Sequence, residues 1–298
     1  MKMKTDLPFA GIEAGGTKFV CLVGSGPDDI RARGVIPTKT PEETIAEVVT
    51  FLLPHAPFTA IGIGTFGPCD LDPASPTFGH LTTTPKTRWE GFDMAGAFRR
   101  VFHIPVAMDT DVNAAALGEH RWGAGRGCDI VVYLTVGTGI GGGAVIRGTP
   151  LHGLVHPEMG HIVVPRDRDP EALPGVCPYH PYCLQGLAAG PAMEARWGRP
   201  ASDLAPDHPA WTIEARYLAY AVSNFIYVLS PNRVILGGGV MHQRHLFPLI
   251  RTEVKSIVNG YVRSPMILER IDEYIVPPAL GDDAGVLGAI ALAMEADR

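Results

Sequence analysis

The sequence predicts an α/β fold built from a duplicated unit, and two observations carry this prediction. An apolar run enters the glycine turn at Gly15 and Gly16, a second β-branched run leaves it, and the same arrangement recurs at residues 130–146. Each of these strand–turn–strand segments is followed, after helical stretches, by a short apolar strand ending in glycine, at 60–67 and at 234–240. A unit that occurs twice in the same order favours internal duplication.

Length and composition favour two domains, because 298 residues with 46% hydrophobic content can bury two cores of ordinary size. A net charge of -6 without a basic cluster argues against a nucleic-acid partner. No apolar run approaches the roughly 20 residues that a membrane span needs, and no signal-peptide core follows the N-terminal lysines. The five cysteines, three of them scattered and two forming the close pair Cys177 and Cys183, do not indicate a disulfide framework, so we expect a cytoplasmic protein.

Helices are predicted between the strands, the clearest at 40–53. Thr40 is placed to cap this helix, Pro41 takes its first position and Glu43 completes a capping box. Further helices are predicted at 112–121, 213–229, 246–258 and 284–295. The second half of the chain is longer because an insertion at 147–211, rich in proline, glycine and histidine, precedes its next helix.

The glycine turn at 137–142 matches the dinucleotide-binding pattern G-x-G-x-x-G, but its context does not. That pattern requires a helix after the turn to hold the pyrophosphate, whereas here an apolar strand follows. A nucleotide-dependent dehydrogenase is therefore disfavoured. Glycine hairpins can still offer backbone N–H groups to phosphate, so two hairpins could hold a triphosphate; tight turns without a ligand are the alternative.

A candidate metal site lies at 177–183, CPYHPYC, where Cys177, His180 and Cys183 recur at every third position. His152, His156 and His161 are candidates for a fourth ligand, and spacing does not choose among them. A disulfide between the two cysteines is the competing interpretation.

Five segments together resemble the ROK family of sugar kinases, and within it the bacterial fructokinases. They are GIEAGGTKFVC at 11–21, LTVGTGIGGG at 134–143, LGGGVM at 236–241, DTDVNAAALGE at 109–119 and HPEMGH at 156–161. The segment SPTFGHLTTTPKTRW at 75–89 resembles the fructokinase branch in particular. The match runs nearly end to end and keeps the family's order of motifs.

This resemblance implies a duplicated actin-like ATPase (ribonuclease H-like) fold, with two domains and a cleft between them for nucleotide and sugar. We expect an N-terminal domain at 1–112, with a last helix at 284–298 packing back onto it. The remaining residues, 113–283, form the larger domain that carries the insertion. The resemblance also implies a homodimer.

The implied reaction is ATP-dependent phosphorylation of a hexose, with D-fructose as substrate and Asp111 as the general base. A simple helix N-cap is the other interpretation of Asp111, and Asp109 is expected to be structural. Mannose, glucose or an N-acetylhexosamine are alternative substrates. A sugar-sensing ROK-type regulator is less expected, because the first hairpin begins near residue 9 and leaves no room for an N-terminal helix-turn-helix.

The same resemblance assigns the remaining site residues. For ATP and Mg²⁺ they are Glu13, Gly15, Gly16, Thr17, Lys18, Gly137, Thr138, Gly139, Gly237, Gly238 and Gly239. For the sugar they are Asn113, Glu158, His161 and Gln185. Glu13 stands where most of the wider family has Asp, and Gln185 where a Glu is usual. The family pattern makes His161 the fourth metal ligand, and a Cys₂His₂ set suits structural Zn²⁺.

Overall fold

The computed structural model describes residues 7–84, 86–166 and 175–297. Parts of four predicted segments lie outside these ranges: residues 1–6, Pro85, residues 167–174 of the insertion, and Arg298 at the end of the last helix. The chain forms two compact units. The first runs to Arg126 and also contains Gly148–Pro157 and the chain from Asp283, whereas the second contains Gly127–Arg147 and Glu158–Asp282.

The strands are β1 Phe9–Ala14, β2 Lys18–Gly26, β3 Asp29–Pro37, β4 Ile61–Thr65, β5 Val106–Thr110, β6 Ile130–Val136, β7 Ile140–Ile146, β8 Thr149–Pro150, β9 Arg233–Gly237 and β10 Ile275–Val276. The helices are α1 Pro41–Leu52, α2 Met94–Phe102, α3 Asp111–Trp122, α4 Leu184–Ala188, α5 Gly190–Trp197, α6 Ala210–Leu229, α7 Leu246–Val258, α8 Pro265–Leu268, α9 Ile271–Tyr274 and α10 Ala284–Ala296. No helix in the described ranges has the length and apolar character needed to cross a membrane.

The predicted repeat is confirmed by the topology of the two sheets. In the first unit the strand order is β3-β2-β1-β4-β5, where β1 pairs antiparallel with β2 and parallel with β4. In the second unit the order runs β10-β9-β6-β7, where β6 pairs antiparallel with β7 and parallel with β9. Each unit therefore contains a hairpin whose first strand also receives a parallel strand after a helical crossover.

Helix α1 begins as the sequence predicts. The Thr40 hydroxyl accepts a hydrogen bond from the Glu43 N–H at 3.3 Å, and the Glu43 carboxylate accepts one from the Thr40 N–H at 3.4 Å. These reciprocal bonds satisfy two donors that would otherwise lack partners at the start of a helix. The capping box is therefore confirmed.

Helix α10 packs within the first unit on positions that have no side chain. A Cβ on Gly118 of α3 would lie 2.8 Å from the Ala284 carbonyl oxygen, and one on Gly11 of β1 would lie 2.8 Å from that of Val286. Gly62 of β4 meets the Ala289 carbonyl still more closely. The backbone of α10 thus touches β1, β4 and α3 directly, and the whole of α10 is held by the first unit.

The boundary of the first unit differs from the predicted one at residue 112, which falls inside α3. The structure assigns all of α3 to the first unit, because this helix packs against α10. The short segment Gly148–Pro157 also belongs there. Two histidines attach it: His152 bonds to Asp109, and His156 accepts a hydrogen bond from the Cys69 N–H at 3.2 Å.

Candidate active site and metal centre

Asp111 is the first residue of α3 and directly follows strand β5. The Thr110 hydroxyl caps this helix by accepting a hydrogen bond from the Asn113 N–H at 3.2 Å. Asp111 is therefore not the N-cap, which removes the simplest structural explanation for its carboxylate. Its Oδ1 accepts a hydrogen bond from the Val112 N–H at 2.9 Å, and the residue is partly exposed.

Asp109, in contrast, is buried and fully engaged. One carboxylate oxygen accepts hydrogen bonds from the Thr110 N–H at 2.7 Å and from the Asn113 amide at 2.8 Å. The other lies 2.9 Å from Nε2 of His152. This contact with Asp109 raises the pKa of His152, although partial burial opposes the shift. Asn113, predicted to bind sugar, is itself buried and directs its amide group to Asp109.

Glu13 lies near the end of β1, with its carboxylate against Gly285 at the start of α10. A Cβ at position 285 would stand 2.6 Å from Oε1 of Glu13, so the glycine makes room for the longer acidic side chain. Burial raises the pKa of Glu13 to about 7; the charge of Asp111 also raises it, whereas Lys18 lowers it. The structure therefore brings Glu13, Lys18 and Asp111 into one electrostatic neighbourhood within the first unit.

The first glycine turn, Gly15–Thr17, connects β1 to β2. The Gly15 N–H donates to the Lys18 carbonyl at 3.0 Å, and the Thr38 hydroxyl donates to the Gly15 carbonyl at 2.8 Å. Thr17 and Lys18 are exposed at the tip. The turn is thus tied to its own hairpin while its tip remains accessible.

The second glycine turn, Gly137–Gly139, connects β6 to β7 and receives Gln185. The Ile140 N–H donates to Oε1 of Gln185 at 3.0 Å. A Cβ on Gly139 would lie 2.8 Å from the same oxygen. Gln185, predicted to bind sugar, thus has its amide oxygen engaged by the phosphate hairpin. Thr138 is exposed at the tip.

The glycines after β9 differ from one another. A Cβ on Gly238 would lie 2.5 Å from the Val136 carbonyl, and its φ of 90° is one that side chains rarely adopt. Gly237 meets the Tyr133 hydroxyl closely. These two glycines allow close packing on β6, whereas a Cβ on Gly239 would meet nothing within 4 Å. Only Gly239 of the three therefore opens onto free space.

The four predicted metal ligands come together in the second unit. His161, Cys177, His180 and Cys183 each offer a ligand atom, and these atoms all lie within 4.8 Å of one another. We call these residues the Cys/His cluster. A backbone hydrogen bond from the Leu184 N–H to the Ile162 carbonyl, at 2.8 Å, joins the two segments next to His161 and Cys183. His152 and His156, the other candidates for the fourth ligand, bond elsewhere.

The distances in the Cys/His cluster fit a tetrahedral ion. Ligands at the usual Zn–N and Zn–S lengths stand about 3.3 Å apart for two nitrogens and about 3.8 Å apart for two sulfurs around a tetrahedron. The Nδ1 atoms of His161 and His180 are 3.2 Å apart, and Sγ of Cys177 lies 3.8 Å and 3.9 Å from them. Burial lowers the pKa of His161, which favours the neutral imidazole that a metal binds. Cys177 and Cys183 are separate thiols.

Glu158 extends the Cys/His cluster on its outer side. Oε2 of this exposed carboxylate is 3.9 Å from Nε2 of His161, whose Nδ1 faces the cluster. At this distance the carboxylate acts on the ring by its charge rather than through a hydrogen bond. His161 therefore links the cluster to the predicted sugar-binding carboxylate.

Two site features were missed by sequence reasoning. Lys86 crosses the first glycine turn, where a Cβ on Gly16 would lie 3.1 Å from its Cε. His152 joins Asp109 rather than the metal ligands. Neither residue has a local signal, because each contact joins segments distant in the sequence.

Comparison with known proteins identifies relatives that match nearly the whole chain. The chain is 43% identical over 290 residues to a fructokinase of Pediococcus pentosaceus, covering 96% of this chain and 97% of that protein. It is 42% identical over 304 residues to a fructokinase of Zymomonas mobilis subsp. mobilis, covering 99% and 100%. The crystal structure of a ROK hexokinase from Thermus thermophilus has a TM-score of 0.77 and 27% identity, covering 97% of this chain and 98% of that one.

The predicted fold class is confirmed by these findings, since the two sheets belong to the actin-like ATPase fold of ROK sugar kinases. A model described as the ROK family matches residues 9–296. With this match and close relatives over nearly its full length, the chain belongs to the ROK family.

Proposed function

We propose that the chain is a fructokinase that transfers the terminal phosphoryl group of ATP to the 6-hydroxyl of D-fructose. Identities of 42% and 43% with fructokinases over nearly the whole chain support this substrate. The observation that carries the mechanism is Asp111, a carboxylate at the start of α3 whose capping role is taken by Thr110. The products are fructose 6-phosphate and ADP.

Asp111 acts as the general base. Its carboxylate takes the proton of the 6-hydroxyl as the sugar oxygen attacks phosphorus. A bond forms between that oxygen and phosphorus, and the bond from phosphorus to the bridging oxygen breaks, leaving its electron pair on ADP. The buried Asp109, bonded to Asn113 and His152, holds the start of α3 in place.

Each of the two glycine turns is suited to binding phosphate of ATP. Their backbone N–H groups, with Thr17 and Lys18 in the first unit and Thr138 in the second, are suited to phosphate oxygens. Gly239 lets the adenosine approach the backbone. A divalent ion, which we take to be Mg²⁺, neutralises phosphate charge when bound. Glu13 would help to hold this ion; burial raises the pKa of its carboxyl to about 7, the charge of Asp111 also raises it, and Lys18 lowers it.

The Cys/His cluster holds structural Zn²⁺. Its four protein ligands form a closed set, which is typical of ions that stabilise a fold rather than react. Glu158, which lies beside His161, binds sugar hydroxyls. Gln185 contributes to the sugar site with its amide nitrogen, because its oxygen is bonded to Ile140.

We further propose a cytoplasmic homodimer without a nucleic-acid partner. The described cysteines are all free thiols, which suits a reducing compartment. The net charge of -6 does not suit binding to nucleic acid. We take the two units as the two domains of the chain.

An assay of ADP formation with a panel of hexoses tests the function. Fructose is expected to give the highest kcat/KM among fructose, mannose, glucose and N-acetylmannosamine. Nuclear magnetic resonance of the product should place phosphate on carbon 6. A higher kcat/KM for another hexose would reassign the substrate. Absence of turnover with every sugar would refute the proposed kinase activity.

A further inference from the structure

Lys86 is held over the first glycine turn by a well-anchored backbone. Its N–H donates to the hydroxyl of the buried Thr84 at 3.3 Å, and its carbonyl accepts a hydrogen bond from the Trp89 N–H at 2.7 Å. The Trp89 side chain is 2% exposed, and its indole N–H donates to the Lys39 carbonyl at 3.1 Å. The base of the Lys86 side chain is therefore fixed.

The anchor of Lys86 is tied to the hairpin that carries the turn. The Trp89 ring lies 5.5 Å from the ring of Phe19, which follows Lys18 in β2. From this base the Lys86 side chain crosses Gly16: a Cβ there would stand 3.1 Å from Cε and 3.8 Å from Nζ. A side chain at position 16 would displace the lysine, so the glycine keeps the ammonium at the turn.

The Lys86 ammonium has no carboxylate partner among the described residues, unlike Lys39 nearby. Nζ of Lys39 is 2.7 Å from a Glu47 oxygen. No such ion pair or hydrogen bond involves Nζ of Lys86 within 7–84, 86–166 and 175–297. A cation that is placed precisely against a turn without an acidic partner is available for an anionic ligand.

The turn itself supplies further donors. Its N–H groups at Gly16 and Thr17 donate to no protein acceptor within the described ranges, whereas that of Gly15 is used by Lys18. Lys18 adds a second cation at the same hairpin. Two backbone donors, the Lys86 ammonium and the exposed Lys18 next to the turn therefore form a composition suited to a phosphoryl group.

We propose that Lys86 binds the phosphoryl group that is transferred, and that it stabilises the charge on this group as it moves. This assignment rests on the proposed kinase activity. Lys86 exchanges no proton: the hydroxyl proton passes to Asp111, and ADP leaves with the electron pair of the broken bond. The lysine acts by charge, as fixed cations do in phosphoryl transfer.

The strand order indicates why this phosphate is the terminal one. Strands β1, β4 and β5 are adjacent and parallel, so the turn after β1 and Asp111 after β5 lie at the same edge of the first-unit sheet. Two strand spacings separate them by about 10 Å. A carboxylate, a sugar hydroxyl and one phosphoryl group fill such a span, and the phosphoryl group beside the hydroxyl is the one that transfers.

The test compares Lys86→Met with the matched control Lys39→Met. Both substitutions replace a charged side chain by an unbranched apolar one, but Lys39 is paired with Glu47. Steady-state kinetics with fructose and calorimetric binding of the Mg²⁺ complexes of ADP and AMPPNP are measured for both. For Lys86→Met we expect kcat to fall about 100-fold or more, AMPPNP affinity to fall about 10-fold, and ADP affinity to change less than about 2-fold.

Several outcomes would overturn the assignment. Equal losses for ADP and AMPPNP would place Lys86 on an inner phosphate, and unchanged kcat and affinities in a folded Lys86→Met protein would remove it from the site. A similar fall in kcat for Lys39→Met would indicate a general effect of surface charge. If the unsubstituted protein does not turn over fructose, the kinase proposal fails, while the difference between AMPPNP and ADP binding still decides the position of Lys86.

Discussion

Two aspartates separated by one residue have different environments, and this difference defines their roles. Asp109 is 2% exposed and bonded to Thr110, Asn113 and His152. Asp111 is partly exposed at the start of α3. Sequence reasoning separated the two by motif, but the bond to His152 could not be predicted because it joins residues 43 positions apart. For the same reason Gln185 and Lys86 were not placed at the glycine turns.

The raised pKa of Glu13 predicts a pH-dependent cost to stability. The pKa rises from 4.5 to about 7 on folding, so the group costs nothing below pH 4.5, and its full cost is present above pH 7. We therefore compare the unfolding free energy of Glu13→Gln with that of the unsubstituted protein in EDTA. The advantage of the variant should be about 2–3 kcal/mol larger at pH 8 than at pH 5. Urea denaturation at both pH values measures it; a pH-independent difference would contradict the buried, raised carboxyl.

The ion pair between His152 and Asp109 predicts the opposite dependence. Because the folded pKa of His152 is raised, its contribution is present below the unfolded value near 6.5 and is lost as pH rises through the folded value. His152→Asn should destabilise more at pH 6 than at pH 9, by less than about 1 kcal/mol since the ring is half-exposed. The same substitution at the exposed His103 is the control. An effect of His152→Asn that is equal at both pH values would refute the ion pair with Asp109.

At the scale of elements, α10 depends on glycines where its backbone meets β4 and α3. A Cβ on Gly288 would collide with the Ala114 carbonyl, which is backbone and cannot move aside. Gly288→Val should therefore lower the unfolding free energy by several kcal/mol, on the order of 3. Gly153→Ala is the control, since a Cβ there meets nothing within 4 Å. Thermal and urea denaturation measure both; similar small losses would mean that α10 is not closely packed.

The Cys/His cluster predicts one zinc ion per chain. Cys177→Ser should lose the ion and lower the melting temperature, whereas Cys128→Ser, outside the cluster, should keep it. Because His161 lies beside Glu158, loss of zinc should weaken fructose binding before AMPPNP binding. Metal analysis and calorimetry measure these effects. A folded, zinc-free protein with full fructose affinity would show that the cluster does not support the sugar site.

Elements with strong local signals could be predicted, and those that depend on tertiary packing could not. The prediction for 246–258 matches α7, and α1 begins at its predicted capping box, because periodicity and caps are local properties. Strand β3 was not predicted, since its charged residues Asp29, Arg31 and Arg33 conceal an edge strand paired with β2. The early boundary at 112 has a similar cause: α3 is kept in the first unit by α10, which follows it by more than 160 residues.

At the scale of the whole molecule, the same supersecondary unit occurs twice, once in each compact unit. A glycine turn joins the two strands of the hairpin in each unit, and a parallel strand follows in each. The two copies have diverged in what surrounds their turns: Lys86 crosses the first, and Gln185 meets the second. The first unit also holds Asp111, so we assign the chemical step to it. The Cys/His cluster belongs to the second unit, where we assign recognition of the sugar.

The role of Asp111 as the general base is tested most directly by Asp111→Asn, assayed with ATP and fructose. We expect kcat to fall by about 10²–10⁴-fold, with fructose and AMPPNP affinities within a few-fold of the unsubstituted protein and an unchanged melting curve. Asp28→Asn, at an exposed position, should retain full activity. Near-normal turnover by a folded Asp111→Asn protein would contradict the account, because the hydroxyl would then lose its proton without this carboxylate.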